Sequence, residues 1–201
     1  EKRNPCSELM PYYGTYNSSK KIRKQMQWDM EYAKEIWTYI VKQKILNQAE
    51  MLSKYGFETN IKLMQYAEEI ETFDMTNREA HAAKVYFNSL FGKEFSRDDV
   101  NSINAALNYG YGILLSNFNK EIVSDGYLTH LGIKHTNEYN PYNLSCDLME
   151  PFRVLVDEIV FNKSFLNKKL PEFSIVVPVF ICYCGQIKKH HHSHKSANHS
   201  N

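Results

Sequence analysis

Apolar residues recur at helical spacing through most of the chain. Ile22, Met26, Met30, Ala33, Trp37, Ile40, Val41, Ile45, Ala49 and Leu52 form one stripe, which predicts a single long amphipathic helix over residues 20–55, ending before Gly56. A second helix is expected over residues 58–71 and a third over 77–91, closed by Gly92. The fourth begins after Ser96, where Arg97, Asp98 and Asp99 lead into an apolar run to Val123, and Gly126 ends it. Residues 127–145 carry Gly132, Asn140, Pro141 and Asn143 and read as a loop of functional length. A fifth helix is expected over 147–161. Strand signals are nearly absent, so the expected fold class is all-α, a multi-helix domain whose helices bury their stripes against one another.

The two ends break this pattern. Pro5, Pro11, Gly14 and the Asn17-Ser18-Ser19 cluster interrupt any period, so residues 1–19 read as a linker leading into a helical domain over 20–162. Residues 163–201 read as a divergent, poorly ordered tail with Pro171, Pro178, Cys182, Cys184 and a histidine-rich stretch over 190–199. A frameshift or early truncation of the source gene would explain the abrupt change. Metal capture by Cys182, Cys184 and the histidines is the weaker reading, because short His-rich tracts bind metal opportunistically.

Composition adds bounds. A chain of 201 residues with 43% hydrophobic and 23% charged residues is ordinary for a soluble globular protein. A formal net charge of +1 does not advertise nucleic-acid binding, so any DNA surface must come from local clustering. Lys20, Lys21, Arg23 and Lys24 form one such cluster, whose ordinary reading is a solvated helix face. Four cysteines, unevenly spread, argue against a disulfide scaffold and for a reducing cytoplasm. The late apolar run over 175–183 is too short to span a bilayer, so no membrane association is expected.

The candidate chemistry rests on Glu79, His135 and Glu150. On a helix Glu79 shares a face with Ala83, Tyr86 and Leu90, where an unpaired carboxylate is costly and calls for a cation or a partner. Thr76-Asn77-Arg78-Glu79 is also a capping box, with Thr76 as N-cap. Asp147-Leu148-Met149-Glu150 could likewise cap the fifth helix, with Pro151 tolerated in the first turn. Capping boxes are common and metal carboxylates rare, so the residues taken singly favour caps. In combination, two carboxylates and one loop imidazole suit Mg²⁺ or Mn²⁺, with Mn²⁺ favoured by the nitrogen ligand, and match a structural zinc site poorly. His81 and His130 are rejected as ligands, and Tyr109 and Tyr111 read as core.

Gly132 to His135 as Gly-x-x-His, the run Asp147-Leu148-Met149-Glu150-Pro151-Phe152-Arg153, the helix from Asn77 to Phe87, Asn104 to Tyr111, and Lys44-Ile45-Leu46-Asn47-Gln48 together resemble the CRISPR-associated adaptation integrase, the first of the Cas proteins. The wording is nearest to the type II-A branch, and the resemblance covers residues 8–162 in family order. It implies a catalytic helical domain preceded by a β-rich domain, which is expected to be missing from this sequence. It implies that Glu79, His135 and Glu150 bind the metal and that Asp147 supports the site or a second ion. It further implies metal-dependent insertion of spacer DNA into a CRISPR repeat, or cleavage if water attacks, by homodimers bridged by a smaller Cas protein. The competing expectation is a catalytically inactive helical DNA-binding or assembly fragment, whose carboxylates only cap helices.

Overall fold

In the computed structural model residues 18–167 are described, and every regular element among them is helical. The helices are α1 (Ser18–Gln25), α2 (Met30–Lys54), α3 (Asn60–Glu68), α4 (Arg78–Phe91), α5 (Ser102–Ser124), α6 (Asn143–Met149) and α7 (Arg153–Asn167). Single 3₁₀ turns lie at Thr72–Asp74 and Glu150–Phe152. The expected linker over 1–17 and the tail from 168 onward lie outside the described residues.

Several boundaries differ from the sequence reading. The single helix expected over 20–55 is two, because Asp29 starts α2 afresh by accepting a hydrogen bond from the Glu31 N–H at 3.1 Å. The end of α1 is held elsewhere: the buried Gln25 amide donates to the Leu128 and Leu131 carbonyls and accepts from the Leu128 N–H. A polar side chain therefore redirects a segment whose apolar period runs straight through the break. The fifth helix starts earlier than expected, at Asn143, and breaks after Met149. Pro151 has no N–H to continue the ladder, and a 3₁₀ turn passes the chain into α7, which runs on to Asn167.

The capping boxes are also corrected. Asn77 (φ 53°) precedes α4 with no side-chain cap, and the free N–H groups of Arg78 and Glu79 donate instead to Asp74 at 2.7 and 3.1 Å. Asp74 reaches that position through a tight turn in which Phe73, Asp74 and Asn77 all have positive φ. Thr38 on α2 anchors the turn by accepting from the Phe73 N–H at 2.7 Å. Asp147 lies inside α6 and caps nothing.

Two apolar clusters form the core. Val41, Ile45 and Leu52 of α2, Leu63 of α3 and Tyr86 of α4 are fully buried in one; Leu107 of α5 and Val156 of α7 are fully buried in the other. Each such aliphatic side chain stabilises the fold by about 1.5–3 kcal/mol. Phe87 and Phe91 pack against both clusters, and α7 contributes Phe161 to the first and Val156 and Val160 to the second. The two halves are thus joined along α4 and α7, the elements that flank the candidate site.

Candidate active site

Glu79 and Glu150, remote in sequence, meet at Lys44. The Lys44 Nζ lies 2.5 Å from Glu79 Oε1 and 2.6 Å from Glu150 Oε2. Glu79 is available for this because Asp74 has taken over the cap of α4. Glu150 is brought in by the 3₁₀ turn after α6, which α2 fastens through the Asn47 amide donating to the Pro151 carbonyl at 2.7 Å. Burial opposes the Lys44 charge, but Glu150 and Glu79 together outweigh it and hold its pKa above the ordinary lysine value.

His135 is set by Asp147. The Asp147 side chain is completely buried and accepts from the backbone N–H groups of Ile133, Lys134 and His135 at 2.5, 3.0 and 3.2 Å. Its Oδ1 also lies 2.5 Å from His135 Nδ1, which assigns the imidazole proton to Nδ1 and leaves Nε2 for a ligand. The hydrogen bond to Asp147 raises the His135 pKa; partial burial opposes it, and the fields of Asp147, Glu150 and Glu79 add to the rise. Trp37 contacts the ring edge-on at 6.0 Å between centroids. Gly132 is required by the same packing: a Cβ there would collide with the His135 carbonyl oxygen and stand 2.8 Å from Asp147 Oδ2.

A second layer of contacts leads from Glu150 into the core. Arg153 pairs with Glu150 at 3.1 Å and lies over the Tyr111 ring, 4.7 Å from its centroid. The Tyr111 and Tyr86 hydroxyls both donate to the buried Asp157, Tyr86 at 3.1 Å. Burial pushes the Asp157 carboxyl up to about 6, against the lowering effect of these two hydrogen bonds and of Arg153 and Lys44. Tyr111, expected as plain core, is buried but belongs to this polar chain.

Among the described residues no group of three or more His, Cys, Asp and Glu side chains stands together in metal-ligating geometry. The acids meet at an ammonium, and His135 lies close enough for its proton affinity to respond to both. The donor set nevertheless fits a hard divalent ion. Two carboxylates from different helices already converge on a cation, and the imidazole has a buried carboxylate behind it, the arrangement that orients metal-binding histidines. Lys44 was absent from the residues expected at the site. The available signal for Lys44 was a charge sharing a helix face with Val41 and Gln48, both buried.

Of the basic cluster, Lys20, Arg23 and Lys24 are exposed, while Lys21 donates to the Asp125 carbonyl at 2.6 Å and lies over the Tyr127 ring. His81 faces Tyr66 on α3. A cavity of about 400 Å³ opens beside His135, walled by Trp28, Met30, Leu131 and Asn137, and His130 lines it rather than the acidic pair.

Residues 2–172 match the family model of CRISPR associated protein Cas1. The chain belongs to the Cas1 family. It is 40% identical over 159 residues to the CRISPR-associated endonuclease Cas1 of Neisseria meningitidis serogroup C (strain 8013), covering 79% of this chain and 52% of that protein. It is 28% identical to CRISPR-associated endonuclease Cas1 1 of Francisella tularensis subsp. novicida (strain U112), covering 68% and 52% respectively. The chain thus spans about half the length of these Cas1 relatives. A chain of the solved "Partial Cas6-RT-Cas1--Cas2 complex" superposes with a TM-score of 0.69 at 24% identity, covering 80% of this chain and 55% of that one. A chain of "Casposase bound to integration product" gives 0.63 at 23% identity, covering 82% and 54%. The all-helical fold is that of these neighbours. No described helix is long and apolar enough to cross a membrane.

Proposed function

We propose that the protein is a divalent-metal-dependent DNA endonuclease and integrase that inserts spacer DNA into a CRISPR array. The observation that carries the reading is the convergence of Glu79 and Glu150 on one cation, beside an imidazole fixed by a buried aspartate. Glu79, Glu150 and His135 Nε2 are the groups that would hold Mg²⁺ or Mn²⁺. When bound, the ion would neutralise charge on the attacked phosphate and stabilise the oxygens exchanged at phosphorus.

The chain's own contribution is positional. Asp147 holds the His135 proton on Nδ1 and pins the histidine loop; Asp74 caps α4 and so releases Glu79; Arg153 fixes Glu150. In strand joining, a DNA 3′-hydroxyl oxygen bonds to phosphorus while the bond to the displaced 3′-oxygen breaks, and the departing oxygen is left as a hydroxyl. With water as nucleophile the same exchange is cleavage. Family membership and relatives named endonuclease support this chemistry. The family resemblance implies homodimers bridged by a smaller Cas protein, and a 25% identical chain in a solved "Cas6-RT-Cas1--Cas2 complex" supports a Cas2 partner.

The second reading is a DNA-binding or assembly module without catalysis, and Lys44 favours it, because its ammonium satisfies both carboxylates with no metal. Incubating the protein with branched DNA and MnCl₂ separates the two. The enzyme reading expects joined or cleaved strands that Glu79→Gln and His135→Ala abolish while helical circular dichroism is kept. Metal-independent DNA binding with no altered strand, in wild type and variants alike, would establish the inactive module.

A further inference from the structure

Lys44 sits where the metal reading needs a metal. Its ammonium is within 2.6 Å of one oxygen on each glutamate and its side chain is only 11% exposed, so the contact is a built interior feature rather than a chance surface pair. Tyr39, by contrast, stands largely in solvent on the same helix. The bridge joins three elements, α2, α4 and the 3₁₀ turn after α6, and no other cation reaches both carboxylates among the described residues: Arg153 pairs with Glu150 alone.

We propose that Lys44 is an internal counter-cation that competes with the divalent ion for Glu79 and Glu150, and that metal entry displaces its ammonium from both. The inference rests on the metal-site reading above. Two like charges cannot share the same pair of carboxylate oxygens at contact distance without strong repulsion. One must leave, and the lysine stem, with four rotatable carbons, can move while the helices stay in place. Lys44 then has two effects. Before metal binds it keeps two partly buried acids from repelling each other and opening the site. Once displaced, it leaves a mobile positive charge beside the metal, where a DNA phosphate would sit. The site therefore loads metal more weakly than its ligands alone would allow, and metal occupancy is coupled to the release of a phosphate-binding group.

The test uses MnCl₂ alone, without DNA, and compares wild type with Lys44→Met, which keeps most of the stem and removes the charge. Calorimetry or the electron paramagnetic signal of free Mn²⁺ should show the variant binding about tenfold more tightly, the effect of removing a competing charge at contact distance. Without metal the variant should melt lower than wild type, and Mn²⁺ should raise its melting temperature by more. Equal or weaker Mn²⁺ binding by Lys44→Met would overturn the competition and make Lys44 a support of the metal site. Saturable binding by neither protein would reject the metal-site reading and this inference together. A second measurement needs only wild type: the Lys44 ammonium resonance, visible in a ¹⁵N-lysine spectrum because the ion pairs slow its proton exchange, should shift or vanish on saturation with Mg²⁺. An unchanged signal with metal bound would overturn the displacement.

Discussion

Asp147→Asn should loosen the histidine loop and lower the pKa of His135 together. The carboxylate accepts four hydrogen bonds, two at each oxygen: Oδ2 from the Ile133 and Lys134 N–H groups, Oδ1 from the His135 N–H and ring. An asparagine keeps one acceptor oxygen and presents an NH₂ group to two donors, so two bonds are lost when the NH₂ faces Ile133 and Lys134, or when it faces a His135 that keeps its proton on Nδ1. Hydrogen bonds to a charged group are worth about 1.5–3 kcal/mol each, giving about 3–6 kcal/mol, and rehydration of a partly exposed loop lowers this to about 2–4 kcal/mol. That is a large share of the stability of an ordinary domain. Urea denaturation at neutral pH measures the loss, and NMR titration of the His135 ring measures the pKa, which should fall because its largest raising cause is the bond to Asp147. A stability loss below about 0.5 kcal/mol with an unmoved His135 pKa would refute the argument, since a carboxylate carrying four bonds cannot be replaced so cheaply.

Asp157, with its carboxyl raised from 3.8 to about 6, holds its proton in the folded state where the unfolded chain has lost it. Its contribution is therefore full below pH 4 and lost as pH rises through 6; relative to Asp157→Asn, wild type should lose about 3 kcal/mol across that window, and a flat difference would contradict it. Gly132→Ala should displace the His135 carbonyl and cut metal-dependent strand chemistry by about 100-fold with helical circular dichroism unchanged, whereas full activity would show that the loop yields without cost. Charge reversal at the exposed Lys20, Arg23 and Lys24 should weaken DNA binding and flatten its dependence on salt; unchanged affinity would return them to a solvated helix face.

Periodicity located α3, α4 and α5 to within a few residues because each is bounded by local signals, such as Gly92 after α4 and Gly126 after α5. It ran α1 and α2 together because the apolar stripe continues through Met26 and Met30, both of which are exposed, and the break depends on where the Gln25 amide binds 103 residues away. The sequence offered Glu79, His135 and Glu150 as candidates, and the structure brings the two acids together at Lys44, but the connections among them were not legible. Local spacing suggested that Glu79 caps its own helix, whereas the cap is Asp74, delivered by a turn with three positive-φ residues that no propensity anticipates. Asp147 was expected beside the site as an acid, and its backbone bonds to the histidine loop arise only when α6 packs under that loop. Lys44 escaped notice because single basic residues on helices most often face water, and only tertiary packing turns it inward.

Glu79, His135 and Glu150 are proposed to hold one divalent ion. Crystals of the protein grown with MnCl₂, with diffraction collected at the manganese absorption edge, test it most directly. An anomalous peak is expected at Mn²⁺ ligand distances from both glutamates and from His135 Nε2, with the Lys44 ammonium moved away. A Lys44 bridge still closed, with no manganese between the glutamates at saturating metal, would contradict it.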